Sequence, residues 1–218
     1  NVNHTKRAGM MALQILDGVL HHRGVVEPPL FFNLILATLI SHVGIVGGIL
    51  EEDEVKPNQP AEKYYTGKGE YKSFVGPSSN SVLWPHYIER SLLFVDRNFR
   101  SLKNLNIEDV KSAIKFSDIS SKSTAKEQTN FCHYVRSAHI LAYMTQSQYN
   151  QWLVRLYRSL EEANLLDHLG FDHLGEFREN YSQHFWETFY SDLTHLIPLL
   201  RETEEGKMLL ATLYSRMS

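Results

Sequence analysis

The sequence predicts an all-α protein in one domain, and three observations predict it. Apolar residues recur at helical spacing through most of the 218 residues, β-branched alternation of useful length is absent, and no internal repeat is present. A hydrophobic content of 43% in a chain of this length is enough for one substantial core.

The elements follow in order. Residues 3 to 22 carry Met10, Leu13, Leu16, Val19 and Leu20 at helical spacing, with Asn3 as the expected N-cap. "HHRG" closes this helix and "EPP" opens a second, whose end is loosened by Gly44, Gly47 and Gly48. Residues 51 to 83 are rich in charge, Pro, Gly and Ser and have no sustained period, so a long loop or lid is expected there. From Pro85, suited to a first helical turn, the stripe Ile88, Leu92, Val95 starts a third helix. "IEDVKSAIKF" reads as helix, as do residues 126 to 145, 148 to 164, 174 to 200 and 202 to 217. Phe185, Trp186, Phe189 and Tyr190 follow at helix spacing, as core aromatics do.

Composition excludes some classes. A formal charge of −3 supplies no broad positive field, so no nucleic-acid partner is expected. The single cysteine, Cys132, fits a reducing compartment, and the cytoplasm is the expected location. The opening "NVNHTKR" has no initiator methionine and no charged segment ahead of an apolar run, as expected of a chain trimmed upstream. Residues 30 to 50 hold no Asp, Glu, Lys or Arg and are long enough to span a bilayer. Asn33, Ser41 and His42 would be costly in lipid and "EEDE" follows directly, so a buried helix is expected rather than a membrane partner. Nothing in the chain sets an oligomeric state.

No Walker loop, dinucleotide fingerprint, nucleophile elbow or paired CxxC occurs. What remains is histidine: His4, His42, His86 and His139 all sit in or at the ends of expected core helices. A buried imidazole must find hydrogen-bond partners or bind a metal.

The order "HT-x-R" in a first helix, a second helix ending in a short polar pair and Gly, "PHYIERSLLF" and "VRSAHIL" resembles the HD-domain superfamily of metal-dependent phosphohydrolases. It is similar to a bacterial branch in which these segments read "HDIGY", "PYHVDRSKLF" and "VRAADLIG". The likeness extends to "FRENYSQHFWETFY" and "EEGKMLLATLYSRM", and so covers nearly the whole chain. It implies an HD-like helical bundle and a cleft for a small phosphorylated ligand. In the family, a first-helix His, a His-Asp pair and a later Asp ligate the metal. On this chain those positions fall on His4, Ser41, His42 and His139, a degenerate set with both aspartates lost.

That change alters the chemistry the resemblance implies. Carboxylates suit Mg²⁺ or Mn²⁺, whereas three imidazoles suit one transition-metal ion such as Zn, Fe or Ni. Ser41 is too weak a donor to replace the missing ligand. His86, whose counterpart lies near the cleft in some relatives, is a candidate fourth ligand or proton shuttle, and Arg90 and Lys115 match basic positions that would meet a phosphate. "YYTGKGEYK" resembles a glycine-bearing loop beside the cleft and reads as a lid rather than a phosphate cradle. Two readings stand: a catalytically weak or silent protein with no metal, binding a ligand or partner through the inherited cleft, and a phosphoric-ester hydrolase with a histidine-rich single-metal site.

Overall fold

Small residues, more than large ones, set how the first helix packs. The computed structural model describes residues 2–54, 63–73, 80–118, 129–167 and 169–217. Helix α1 (Val2–Arg23) buries Ala8, Gly9, Ala12, Ile15, Leu16, Gly18 and Val19. Met10, Leu13 and Leu20 of the expected stripe face outward, at 60, 47 and 45% exposure. The inward face is turned toward the glycines because the backbone comes close there: a Cβ on Gly18 would lie 2.5 Å from the carbonyl oxygen of Leu199. Asn3, expected as N-cap, lies inside the helix.

Helix α2 (Pro28–Ile40) starts at the proline, as the sequence indicates, but stops well before the glycines. The chain turns at Ser41 and His42 and enters a 3-10 turn at Val43–Ile45. The cause is Gly44, whose backbone is pressed against helix α3 (Tyr87–Asn98): a Cβ there would lie 2.1 Å from Tyr87 O and 2.8 Å from Ser91 N. Gly44 N donates to Ser91 Oγ (2.9 Å), and Ser91 Oγ donates to Ser41 O (2.9 Å). The charge-free run is therefore split between a 13-residue helix and a turn packed on its neighbours, and the helix is only partly buried, not the buried one expected: Phe31, Phe32 and Leu39 face outward at 48, 45 and 41% exposure. His42 sits at that break, not within a helix.

Within the expected loop, residues 55–62 and 74–79 lie outside the described residues, and the remainder is more ordered than its composition suggests. Strands β1 (Lys63–Tyr65) and β2 (Tyr71–Ser73) pair antiparallel, and Asn80–His86 forms a 3-10 segment that takes in Pro85. Strands of three residues are too short for a period to register. The hairpin's signal is Gly67 and Gly69, which take φ of +89° and +85°.

Helix α4 (Ile107–Phe116) is capped by Asn106, whose side chain accepts from Asp109 N at 3.3 Å. Helix α5 (Asn130–Met144) is capped by Thr129 and is buried continuously from Tyr134 to Met144. It is the central element, touching α1, α2, α4 and the C-terminal helices. Helix α6 (Tyr149–Glu162) follows. The single helix expected over 174–200 is three: α7 (Leu174–Thr188), α8 (Tyr190–Leu193) and α9 (Ile197–Leu200). Pro198 lies in the first turn of α9, where its missing N–H does no harm. Asp192 turns inward to the buried Arg136, whose Nε donates to it at 2.8 Å. Helix α10 (Glu204–Met217) closes the chain. Phe185 and Phe189 are buried in the main core, with Trp186 and Tyr190 packed against it. The all-α class holds, with one main core that gathers side chains from α1 to α10.

Candidate metal centre

Three distant stretches of chain meet at three imidazoles. His4 comes from the first turn of α1, His42 from the turn after α2 and His139 from the middle of α5. One nitrogen of each lies within 4.8 Å of the others, and among the described residues this is the only group of three or more His, Cys, Asp or Glu so placed. Ring centroids stand 4.1 Å apart for His42 and His139, 5.2 Å for His4 and His139, and 5.3 Å for His4 and His42. Tyr143, one turn beyond His139, stacks on His4 at 3.9 Å and 14°.

The hydrogen bonds set the tautomer of His139. Ser41 Oγ donates to Thr38 O (3.1 Å) and so accepts from His139 Nε2, 2.5 Å away. His139 Nδ1 is then left with its lone pair, facing His4 Nε2 at 3.0 Å. Two ligands on one tetrahedral ion at about 2.0–2.1 Å each stand about 3.3 Å apart, so this spacing suits a shared ion. A histidine whose second nitrogen donates into a hydroxyl and carbonyl is the orientation that metal ligands use. Ser41 thus fixes the orientation of the His139 ring rather than offering a nitrogen or carboxylate of its own.

Electrostatics keep all three rings neutral at pH 7. Burial, then the neighbouring His139, holds His4 well below the ordinary imidazole range, and burial followed by His139 and His4 does the same for His42. Burial pushes His139 down to about 3, against the Thr38 carbonyl, which favours its charge. Neutral imidazoles are what a borderline ion requires.

His4 and His42 line a cavity of about 690 Å³ that reaches across α1, the 3-10 segment Asn80–His86, the end of α5 and α6. Its walls carry Lys6, Arg7 and Arg155, the aromatics Trp84, Tyr143 and Trp152, and, among the described residues, no carboxylate. Arg7 Nε donates to Ala142 O (3.3 Å), and among the described residues none of the three cations has a carboxylate partner. Trp152, Arg155, Leu156 and Ser159 are spaced to share one face of α6, which the sequence signals as a stripe without saying what it lines. Lys6 and Arg7 adjoin His4 in "HTKR".

The other expected residues stand elsewhere. Arg90 does not line the cavity: its side chain is fully buried, pairs with Asp53 through both terminal nitrogens (2.8 Å each) and donates to the carbonyls of Gly44, Val46 and Tyr65. It clamps the hairpin to the turn after His42 and has no donor left for a phosphate. Lys115 is exposed on α4, away from the cavity walls. His86 is half-buried in its 3-10 segment, outside the three-ring group and the cavity walls, and burial followed by Lys72 lowers its affinity for a proton. The "YYTGKGEYK" hairpin packs on α3, with Lys68 paired to Glu89 at 2.5 Å, and does not line the cavity.

Fold and site together define an all-α protein with three converging histidines beside a cationic cavity. The chain belongs to the Npun_R2479-like family, which it matches over residues 1–218. No match is found among curated proteins or among solved structures.

Proposed function

We propose that the protein is a relative of the HD-type phosphohydrolases that holds one transition-metal ion on His4, His42 and His139 and hydrolyses a small phosphoric ester in the adjoining cavity. The observation that carries this reading is the approach of three neutral imidazoles to within 4.8 Å beside a cavity that has cations and no carboxylate among its described walls. When bound, such an ion would polarise the phosphoryl group and lower the pKa of a water, which can then give up a proton to solvent as it attacks phosphorus and displaces the alcohol. The chain's own residues do the rest. Lys6, Arg7 and Arg155 draw in and orient the phosphate and offset the charge that builds on it. Trp84, Tyr143 and Trp152 offer flat apolar surface to the remainder of the ester. Ser41 holds the tautomer of His139.

One observation favours a second reading, a cleft that binds its ligand without turnover: the described cavity walls contain no carboxylate to serve as general acid or base. The test is elemental analysis of protein purified without a histidine tag, then turnover of p-nitrophenyl phosphate and bis(p-nitrophenyl) phosphate with Zn²⁺, Fe²⁺, Ni²⁺ and Co²⁺. About one ion per chain and turnover that disappears in His42→Ala are expected. Stoichiometric metal without turnover, or no metal after reconstitution, would each leave only the ligand-binding reading.

A further inference from the structure

A second cavity, of about 590 Å³, shares Ser147 and Gln148, from the turn between α5 and α6, with the walls of the first. Arg178 of α7 and Arg216 of α10 line it, with Tyr149, Asn150 and Ser182, and among the described residues no carboxylate does. Arg216 is held in place: Nη1 donates to the carbonyls of Met144 (3.3 Å) and Gln146 at the end of α5. Its charge is close enough to Arg7, in the wall of the first cavity, to lower that guanidinium's affinity for its proton, after the larger effect of burial. Among the described residues neither Arg178 nor Arg216 has a carboxylate partner. The whole chain carries 25 acidic against 22 basic residues, so five cations gathered round two adjoining cavities, with no acid among the described wall residues, run against its overall balance. Like charges so gathered repel unless an anion lies among them.

We propose that the second cavity is an anion subsite, in which Arg178 and Arg216 receive a second phosphate-like group of a ligand whose first lies against Lys6, Arg7 and Arg155. The ligand class is a small molecule with two or more separated anionic groups. This rests on reading the first cavity as a phosphate site, but it does not require metal or turnover.

The experiment is calorimetric titration of chelator-treated protein with inorganic phosphate, pyrophosphate, tripolyphosphate and a longer linear polyphosphate. Arg178 and Arg155 are both exposed, so their replacement by Gln leaves the fold intact, and Arg158→Gln, outside both cavity walls, controls for net charge. Affinity should rise with chain length, and Arg178→Gln should weaken a chain long enough to bridge by about tenfold, the loss of one charge-assisted hydrogen bond, while leaving inorganic phosphate within about twofold. Arg155→Gln should weaken both, and Arg158→Gln neither. If no anion in the series responds to Arg178→Gln more than to Arg158→Gln, the subsite is overturned. A response at Arg178 with none at Arg155 would overturn the spanning ligand together with the phosphate reading of the first cavity. Metal content is measured separately and is untouched by either result.

Discussion

Ser41 is too weak a donor to bind a metal, yet it fixes how the neighbouring His139 ring is turned. Its hydroxyl accepts from His139 Nε2 and donates to Thr38 O, which keeps the lone pair of Nδ1 pointed at His4. Ser41→Ala should fold normally and lose about 10- to 100-fold in transition-metal affinity, the usual effect of removing an orienting partner. A competitive chelator titration reads this directly, and an unchanged affinity would mean that the Thr38 carbonyl suffices. His195 lies outside the three-histidine group and packs against His133. Burial, then the neighbouring His133, lowers it from 6.5 to about 4 against the opposing pull of Asp192. The unfolded chain therefore binds the proton more readily, so this contribution to stability is complete above about 6.5 and is lost as pH falls toward 4. His195→Leu should make the fall in stability over that interval shallower, by a slope approaching one proton, when denaturant midpoints are compared across pH.

At the scale of elements, the end of α2 is where the site is made. Helix α2 could have continued through Ser41 and His42, since both tolerate helical backbone. It stops because Gly44 lets the chain lie directly on α3, and Arg90 gathers the carbonyls of Gly44 and Val46 beside Asp53. Burial alone would push the Asp53 carboxyl up, but hydrogen bonds from Arg90 and from the Tyr65 backbone outweigh it and hold it below the ordinary range. Gly44→Ala places a methyl 2.1 Å from Tyr87 O and 2.8 Å from Ser91 N, and helix backbone leaves little room to yield. The variant should lose about 1–3 kcal/mol of stability, the range for overpacking a well-filled site. It should also bind metal more weakly, because His42 lies two residues away on the displaced turn. A Gly44→Ala variant that is destabilised with undiminished metal affinity would separate the clamp from the site.

For the whole molecule, the three histidines tie parts of the chain together that are far apart in sequence: His4 and His139 are 135 residues apart. An ion held by all three cross-links the N-terminal helix to the central one and stabilises the entire cooperative unit. At free metal 100 times its dissociation constant the gain is about 2.7 kcal/mol, or about 5–10 °C in melting temperature for a chain of this size. Zn²⁺ or Ni²⁺ should produce that shift in thermal unfolding, His139→Ala should abolish it, and Mg²⁺ should have no effect because the site offers no carboxylate. A Mg²⁺ shift equal to that of Zn²⁺ would point to ligands other than these three.

What the sequence determined by itself was the helical class, the positions of most helices and the short list of histidines, because apolar periodicity and residue identity are local properties. "IEDVKSAIKF" became α4 without change, and Pro28 opened α2 as its fixed φ suggests. Only the tertiary structure decided which of those side chains work together. His86 and His42 look alike along the chain, yet one stays outside the three-ring group and the other joins it. Arg90 and Arg155 are both helical arginines, but a close glycine contact and the Asp53 carboxylate bury the first, while the second borders the open cavity. The physical reason is that burial and charge pairing depend on what packs across from a residue, and for these positions the partners lie between 25 residues away, as Tyr65 does from Arg90, and 135, as His4 does from His139.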